Sequence, residues 1–493
     1  MKFYVGVVSW ANPLGSHGGS HSLRTMSTPL PPLDTATHNA MSRAEADFSA
    51  TIERLKTLVR IPSCSFPGFD HAHLDHSAQA CVDWLLAAGY PEARIARLPG
   101  VFPYVIAKDH RAGPGKPTVL LYAHHDVQPP LREKLWESPV FEPTERNGRL
   151  YARGVADDKA GIAIHCASAA AWSASAGKPP VNLTVVIEGE EEIGSTHFSQ
   201  FLDAHLTELS ADYLVIADAA NFDTGLPSLT TSLRGNVVIE VELKALRAPL
   251  HSGMWGGPVP DAVQALCRMV SSLSDGAGNI AVPGMYDRVR ALSAQEEALY
   301  RRLPYTAARF AEQAGMLYGL PAGDVVDVHR KLWRWPSLTV SAIQAGERGR
   351  TGNVVMDSAW ARIGLRIVPD MEGEPTALAL ETHLRAQVPA GMELTLRRQS
   401  ASSAWGSPTD HPVYATALAA LEHGYGTKPV FIGCGGSIPF VGEMTAKLGG
   451  IPALLTGVED PLCGAHSENE SLHLGDFRSA LRAQVALFGL LAK

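Results

Sequence analysis

The chain has 493 residues, 45% of them hydrophobic and 19% charged, with 42 basic against 50 acidic side chains and a net charge of −8. That apolar content is enough for full-sized cores, so the body of the chain is not intrinsically disordered, and its length suggests two or three domains. The acidic balance and the lack of a long basic run argue against a nucleic-acid partner, and no apolar stretch reaches the roughly 20 residues that span a bilayer.

Residues 1–43, rich in Gly, Ser, Pro and Thr, read as a disordered leader, or as sequence upstream of a later start at Met26 or Met41. From Ala44 the pattern becomes regular. Phe48, Ile52, Leu55 and Val59 recur at helical spacing, and Pro62 ends that helix. A second helix is predicted over 77–88, with Cys81, Leu85 and Ala88 on one face. Short apolar runs at 104–106, 119–122, 183–187 and 213–216 alternate with helical stretches at 160–174 and 196–209. This alternation predicts an α/β domain whose central sheet is mixed, largely parallel and flanked by helices.

After residue 232 the period changes to two. Val237, Ile239, Val241 and Leu243 alternate with other side chains, as do Ala361, Ile363, Leu365 and Ile367. Such strands bury one face, as in an antiparallel sheet. Helices are expected between them at 262–273 and 293–303, and the first pattern resumes with helices at 376–387, 413–423 and 477–491. The reading is one domain formed by 44–232 and 369–493, interrupted by an inserted α+β domain at 233–368.

Several polar clusters end apolar runs. His124-His125-Asp126 closes the run at 119–122, and strand alternation puts His124 and Asp126 on one face and His125 on the other. A His followed by such an Asp suits a metal ligand whose spare ring N–H is held by a carboxylate. His73-Leu74-Asp75 repeats the spacing without a strand before it and reads as surface. Of the adjacent pair Asp157 and Asp158, at most one, Asp157, points into a site. Glu190-Glu191-Glu192 ends the next strand before Gly194, and Asp218 ends another. Acids at the carboxyl edge of an open α/β sheet lie where ligand crevices form. His466 adds an imidazole from a late polar loop. Two imidazoles and several carboxylates make a two-metal set, whose nitrogen and oxygen donors without thiolate suit Zn²⁺, Mn²⁺ or Co²⁺. A further unligated Glu would move the proton of the attacking water. The six cysteines are scattered without a C-x-x-C pair, which offers neither disulfide framework nor thiolate site and fits a reducing, cytoplasmic setting.

Five ordered motifs from about Glu45 to the C-terminus together resemble the co-catalytic metallopeptidases that include carnosine dipeptidases, glutamate carboxypeptidase, aminoacylase and acetylornithine deacetylase. The resemblance makes 44–232 and 369–493 the catalytic metal-binding domain and the α+β insertion at 233–368 a lid and dimerisation domain. It implies two divalent ions per chain, Zn or Mn, held by His124, Asp157 as the bridge, Glu192, Asp218 and His466. It implies Asp126 as the support of His124 and Glu191 as general base. Pro249-Leu250-His251-Ser252-Gly253 resembles the family's dimer segment, so His251 is expected to cross to the partner's site in a homodimer formed through the inserted domain. Arg366, assisted by Asn353, resembles the lid arginine that meets a substrate carboxylate. Gly436 and Ser437, in Gly435-Gly436-Ser437-Ile438-Pro439, resemble a substrate loop at a helix N-terminus. Two departures stand out: Pro249 occupies a position that often carries an acid, and His125 fills the middle of the His-x-Asp motif.

The expected activity is hydrolysis of dipeptides or short peptides with a free C-terminal carboxylate, closest to the dipeptidase branch. An N-acyl-amino-acid deacylase stays open, because the ligand motifs do not separate two amide hydrolyses. A non-catalytic scaffold of the same fold should have lost ligands, and every ligand position is filled.

Overall fold

A computed structural model of the chain describes residues 30–318, 325–349, 352–407, 409–436 and 439–493. Its first helix, Thr35–Ala46, starts where Asp34 accepts the Thr37 amide, and it buries Thr37, Ala40, Met41 and Ala44. The expected leader therefore does not extend to 43. Asp34 is an N-cap, and those four positions form a stripe at helical spacing that the polar composition around them disguised. The helix packs against Lys159–Ala176 and the C-terminal helix Leu474–Leu491. Phe48–Val59 is helical as expected, and the next helix, Ala72–Ala87, starts five residues earlier than its apolar periodicity suggested.

Among the described residues the large sheet has nine strands. Its centre is four parallel neighbours in the order Asn182–Glu188, Thr118–His124, Tyr213–Ile216 and Ala453–Leu455. Glu92–Ala96 and Tyr104–Asp109 extend one side antiparallel. On the other side Ser228–Leu233 carries Val430–Cys434 and the short Trp405–Gly406. Helices cover both faces, which is why the central strands read as unbroken apolar runs. Val119, Leu121 and Ala123 enter one core, Leu120 and Tyr122 the other. Leu121→Ala is expected to cost about 2–5 kcal/mol and to lower the midpoint of a calorimetric melt. An unchanged midpoint would contradict its place in the core.

A second, four-stranded antiparallel sheet runs Ser337–Gln344, Ser358–Ile367, Gly235–Lys244, Glu393–Ser402. Its period-two residues, Val237 to Leu243 and Ala361 to Ile367, fill a separate core. Helices Ala262–Ser271 and Gly373–Ala386 cover that face. The insertion therefore continues past the expected boundary at 368, and the chain rejoins the large sheet only at Trp405–Gly406. A helix following a strand suits either sheet, and here Ala377, Leu380 and Leu384 match the apolar face of the second one. Within the insertion, Tyr300, Leu303, Val326 and Trp333 pack instead around Ile432 on the edge of the large sheet. Among the described residues no helix is long and apolar enough to cross a membrane.

Candidate metal centre

The parallel strands end together in a cluster of buried acids and imidazoles. His124 closes its strand fully buried, and its Nδ1 lies 3.1 Å from the backbone oxygen of Asp126. A carbonyl only accepts, so Nδ1 donates to it and Nε2 is the ring atom turned toward the acids. Nε2 stands 3.0 Å from Asp157 Oδ1 and 3.9 Å from Asp218 Oδ2. The other oxygen of Asp157 is 3.0 Å from His466 Nε2, which lies 3.3 Å from Glu192 Oε2. Two groups of donors result, His124–Asp157–Asp218 and Asp157–Glu192–His466, each with its donor atoms within 4.8 Å of one another. Asp157 belongs to both.

The donor set fits a pair of divalent cations. Its atoms are all nitrogen and oxygen, and the buried Glu192 Oε1 has no hydrogen-bond partner among the described residues. Burial and neighbouring carboxylates push Glu191, Glu192 and Asp218 well above the usual carboxylate range. Burial would raise Asp157 as well, but the two imidazoles outweigh it and hold that carboxyl low. So many buried acids around two imidazoles are stable as anions only with added positive charge.

The surroundings fix the donors. The Asp126 carboxylate accepts the Ser65 hydroxyl at 2.7 Å and the amides of Glu191 and Glu192, both at 3.1 Å. The His124 ring N–H, expected on this carboxylate, is closer to the Asp126 carbonyl, at 3.1 Å against 3.5 Å. Asp126 thus sets the tautomer through its backbone and the Glu191–Glu192 turn through its side chain. His125 points away, donating through Nε2 to Pro103 O at 2.8 Å, and burial lowers it to about 4, so it stays neutral. Of the acids ending the Asn182–Glu188 strand, Glu188 accepts from Tyr104 and Tyr122, and Glu190 from the Phe102 and His197 amides. That leaves Glu191 and Glu192 for the centre. Gly457 keeps the Asp218 segment close, since a Cβ there would stand 1.9 Å from Ala219 O.

The expected substrate residues fall into two other neighbourhoods. His251 is exposed in a two-residue ribbon paired with Val354, and the Ser252 amide donates to Asn353 O at 2.8 Å, so His251 and Asn353 lie together. Exposed Met254 and Trp255 stand beside them. Arg366 pairs across its sheet with Ser337, whose hydroxyl accepts from Arg234 Nη2 at 2.7 Å. The Arg234 amide in turn donates to Gly436 O at 3.2 Å, which brings Arg366, Arg234 and Gly436 into one region. Ser437 lies outside the described residues. His251, Asn353 and Arg366 do not belong to either donor group.

Sequence reasoning missed four residues here. Gln128, whose amide donates to Glu192 Oε2 at 2.7 Å, was visible in the run after Asp126. Arg234, a buried guanidinium between the strands Ser228–Leu233 and Gly235–Lys244, follows a largely polar run that gave no signal. Glu470 ends the polar loop that carries His466, and nothing local separates it from Glu468. Ser65, distant in sequence, had no signal.

Residues 120–489 match the sequence model described as peptidase family M20/M25/M40. A cysteinylglycine-S-conjugate dipeptidase of Corynebacterium striatum is 30% identical over 72% of this chain and 77% of its own length. A Cys-Gly metallodipeptidase of Schizosaccharomyces pombe is 31% identical over 77% of this chain and 81% of its own. The crystal structure of human carnosine dipeptidase 1 superposes with a TM-score of 0.76 at 25% identity, covering 94% of this chain and 100% of that one.

Proposed function

Since the chain belongs to peptidase family M20/M25/M40 and is a dipeptidase-like metallopeptidase, we propose that it hydrolyses the peptide bond of dipeptides bearing a free C-terminal carboxylate, at two divalent ions that share Asp157. The observation carrying this reading is the division of the Asp157 carboxylate, with one oxygen beside His124 and the other beside His466. His124 and Asp218 would complete one position, and Glu192 and His466 the other. Bound Zn²⁺ or Mn²⁺ would polarise the scissile carbonyl and lower the pKa of the attacking water.

The protein's own groups do the rest. Glu191 takes the water's proton and returns it to the leaving amine as the tetrahedral intermediate collapses. Asp126 holds the Glu191 amide at 3.1 Å and so aims that side chain. Arg366, beside Gly436, meets the substrate carboxylate, and Asn353 comes to the site with His251. His251 of a second copy donates to the developing oxyanion, and the exposed Met254 and Trp255 beside it support a homodimer through the inserted region. All six cysteines are free, consistent with a cytoplasmic setting.

Mass-spectrometric hydrolysis of a mixed panel of dipeptides and N-acetyl amino acids tests the reading. Loss of the dipeptides alone is expected, and loss of the acetylated compounds alone would move the enzyme to deacylation. His251→Ala is expected to lower kcat by about 10²–10³-fold with a smaller change in KM. A fully active monomer by light scattering would remove His251 from the mechanism.

A further inference from the structure

Beyond the donors themselves, one buried acid at the end of the His466 loop bonds the segment that carries Asp157. Glu470 is fully buried. Its Oε1 accepts the amides of Ala156 at 3.0 Å and Asp157 at 3.2 Å, and its Oε2 accepts the Gly154 amide at 2.9 Å and Arg153 Nη1 at 2.8 Å. Four donors fill the lone pairs of one carboxylate. Arg153, itself buried, extends the connection through Nη2 to Ser467 O at 2.9 Å and Pro129 O at 3.2 Å.

These contacts reach the neighbours of each member of that group. The Glu470 bonds hold the backbone of Asp157. Ser467 follows His466, whose φ of +61° is a conformation a non-glycine residue adopts only when its loop is held. Pro129 follows Gln128, the residue bonded to Glu192. His124 and Asp218, by contrast, directly end or follow strands of the large sheet and have no bond to Glu470 or Arg153.

We propose that Glu470, with Arg153, is the positioning residue of the Asp157–Glu192–His466 ion position and weighs more on the affinity of that position than on that of the His124–Asp218 one, which it reaches only through the shared Asp157. The proposal rests on the two-ion reading above. Glu470→Gln keeps the size but turns an amide NH₂ toward N–H donors, so one side of the junction loses its acceptor. Partners of this kind typically change metal affinity 10–100-fold.

The test is a Co²⁺ titration of metal-free full-length protein, followed by visible absorbance and elemental analysis, with amide hydrogen exchange at Gly154, Ala156 and Asp157. Wild type is expected to take two ions. E470Q should fold, bind one ion close to wild-type affinity, bind the other about 10–100-fold more weakly, and lose protection at those three amides. A folded E470Q that binds both ions as wild type does, or loses both equally, would overturn the proposal. If E470Q does not fold, Arg153→Lys is the second variant. It keeps a charge on Glu470 but gives up the reach to Ser467 and Pro129, and wild-type affinities in it would equally overturn the assignment. Wild-type protein that binds no ion refutes the two-ion reading, whereas two tight ions in both wild type and variant refute only the role of Glu470.

Discussion

Glu191→Gln is expected to lower kcat by about 10²–10⁴-fold while KM and metal content stay near wild type. Glutamine keeps the shape of the side chain but cannot take up a proton, so the variant removes a step and leaves the binding of ions and substrate. The backbone argument supports this separation. The Glu191 amide is held by Asp126, and Glu191 belongs to neither donor group, so substituting its carboxylate leaves the donor atoms in place. A loss confined to kcat is the signature of an interaction made only in the transition state. Normal turnover in metal-replete buffer would show that the base is another residue.

Asp157→Asn should do more. One amide replaces an oxygen on a side chain whose two oxygens face different imidazoles, so whichever way it turns, one donor group receives an NH₂ in place of a ligand. Metal content is expected to fall from two ions to one or fewer, the weakened position losing at least about 10–100-fold in affinity, with activity reduced at least as far as in Glu191→Gln. Elemental analysis after dialysis checks the first part and steady-state kinetics the second. The neighbour Asp158 is the control. Its carboxylate accepts the His124 amide at 3.2 Å and joins neither donor group, so Asp158→Asn should keep both ions. Equal metal loss in the two variants would mean that the region, and not the shared carboxylate, is what matters.

The parts of the centre that could be read from the sequence are those carried by strand ends. His124, Glu192 and Asp218 follow apolar runs that could only be buried strands, and parallel strands bring such ends to one edge. Alternation also predicted that His125 would turn away, and it bonds to Pro103 O. Choosing among the acids after Ile187 is a different problem. Four carboxylates lie within five residues, and what separates them is the pair of tyrosine hydroxyls from distant strands that claim Glu188 and the amides of distant Phe102 and nearby His197 that claim Glu190. The same limit hid Glu470, whose four donors lie more than 300 residues away in the chain. In the fold, local periodicity found many of the helices but not their partners, and it missed Ala307–Gln313, Val325–Trp333 and Pro439–Lys447. Gly373–Ala386 was expected on the large sheet and covers the second, and Thr35–Ala46 was lost in a polar, proline-rich context although Asp34 caps it.

The most direct test of the account is an anomalous difference map from a crystal of the Zn²⁺- or Mn²⁺-loaded protein. The account predicts two peaks about 3.5–4 Å apart, on either side of the Asp157 carboxylate, one beside His124 and Asp218 and the other beside Glu192 and His466. A single peak, or two peaks that do not share Asp157, would contradict it.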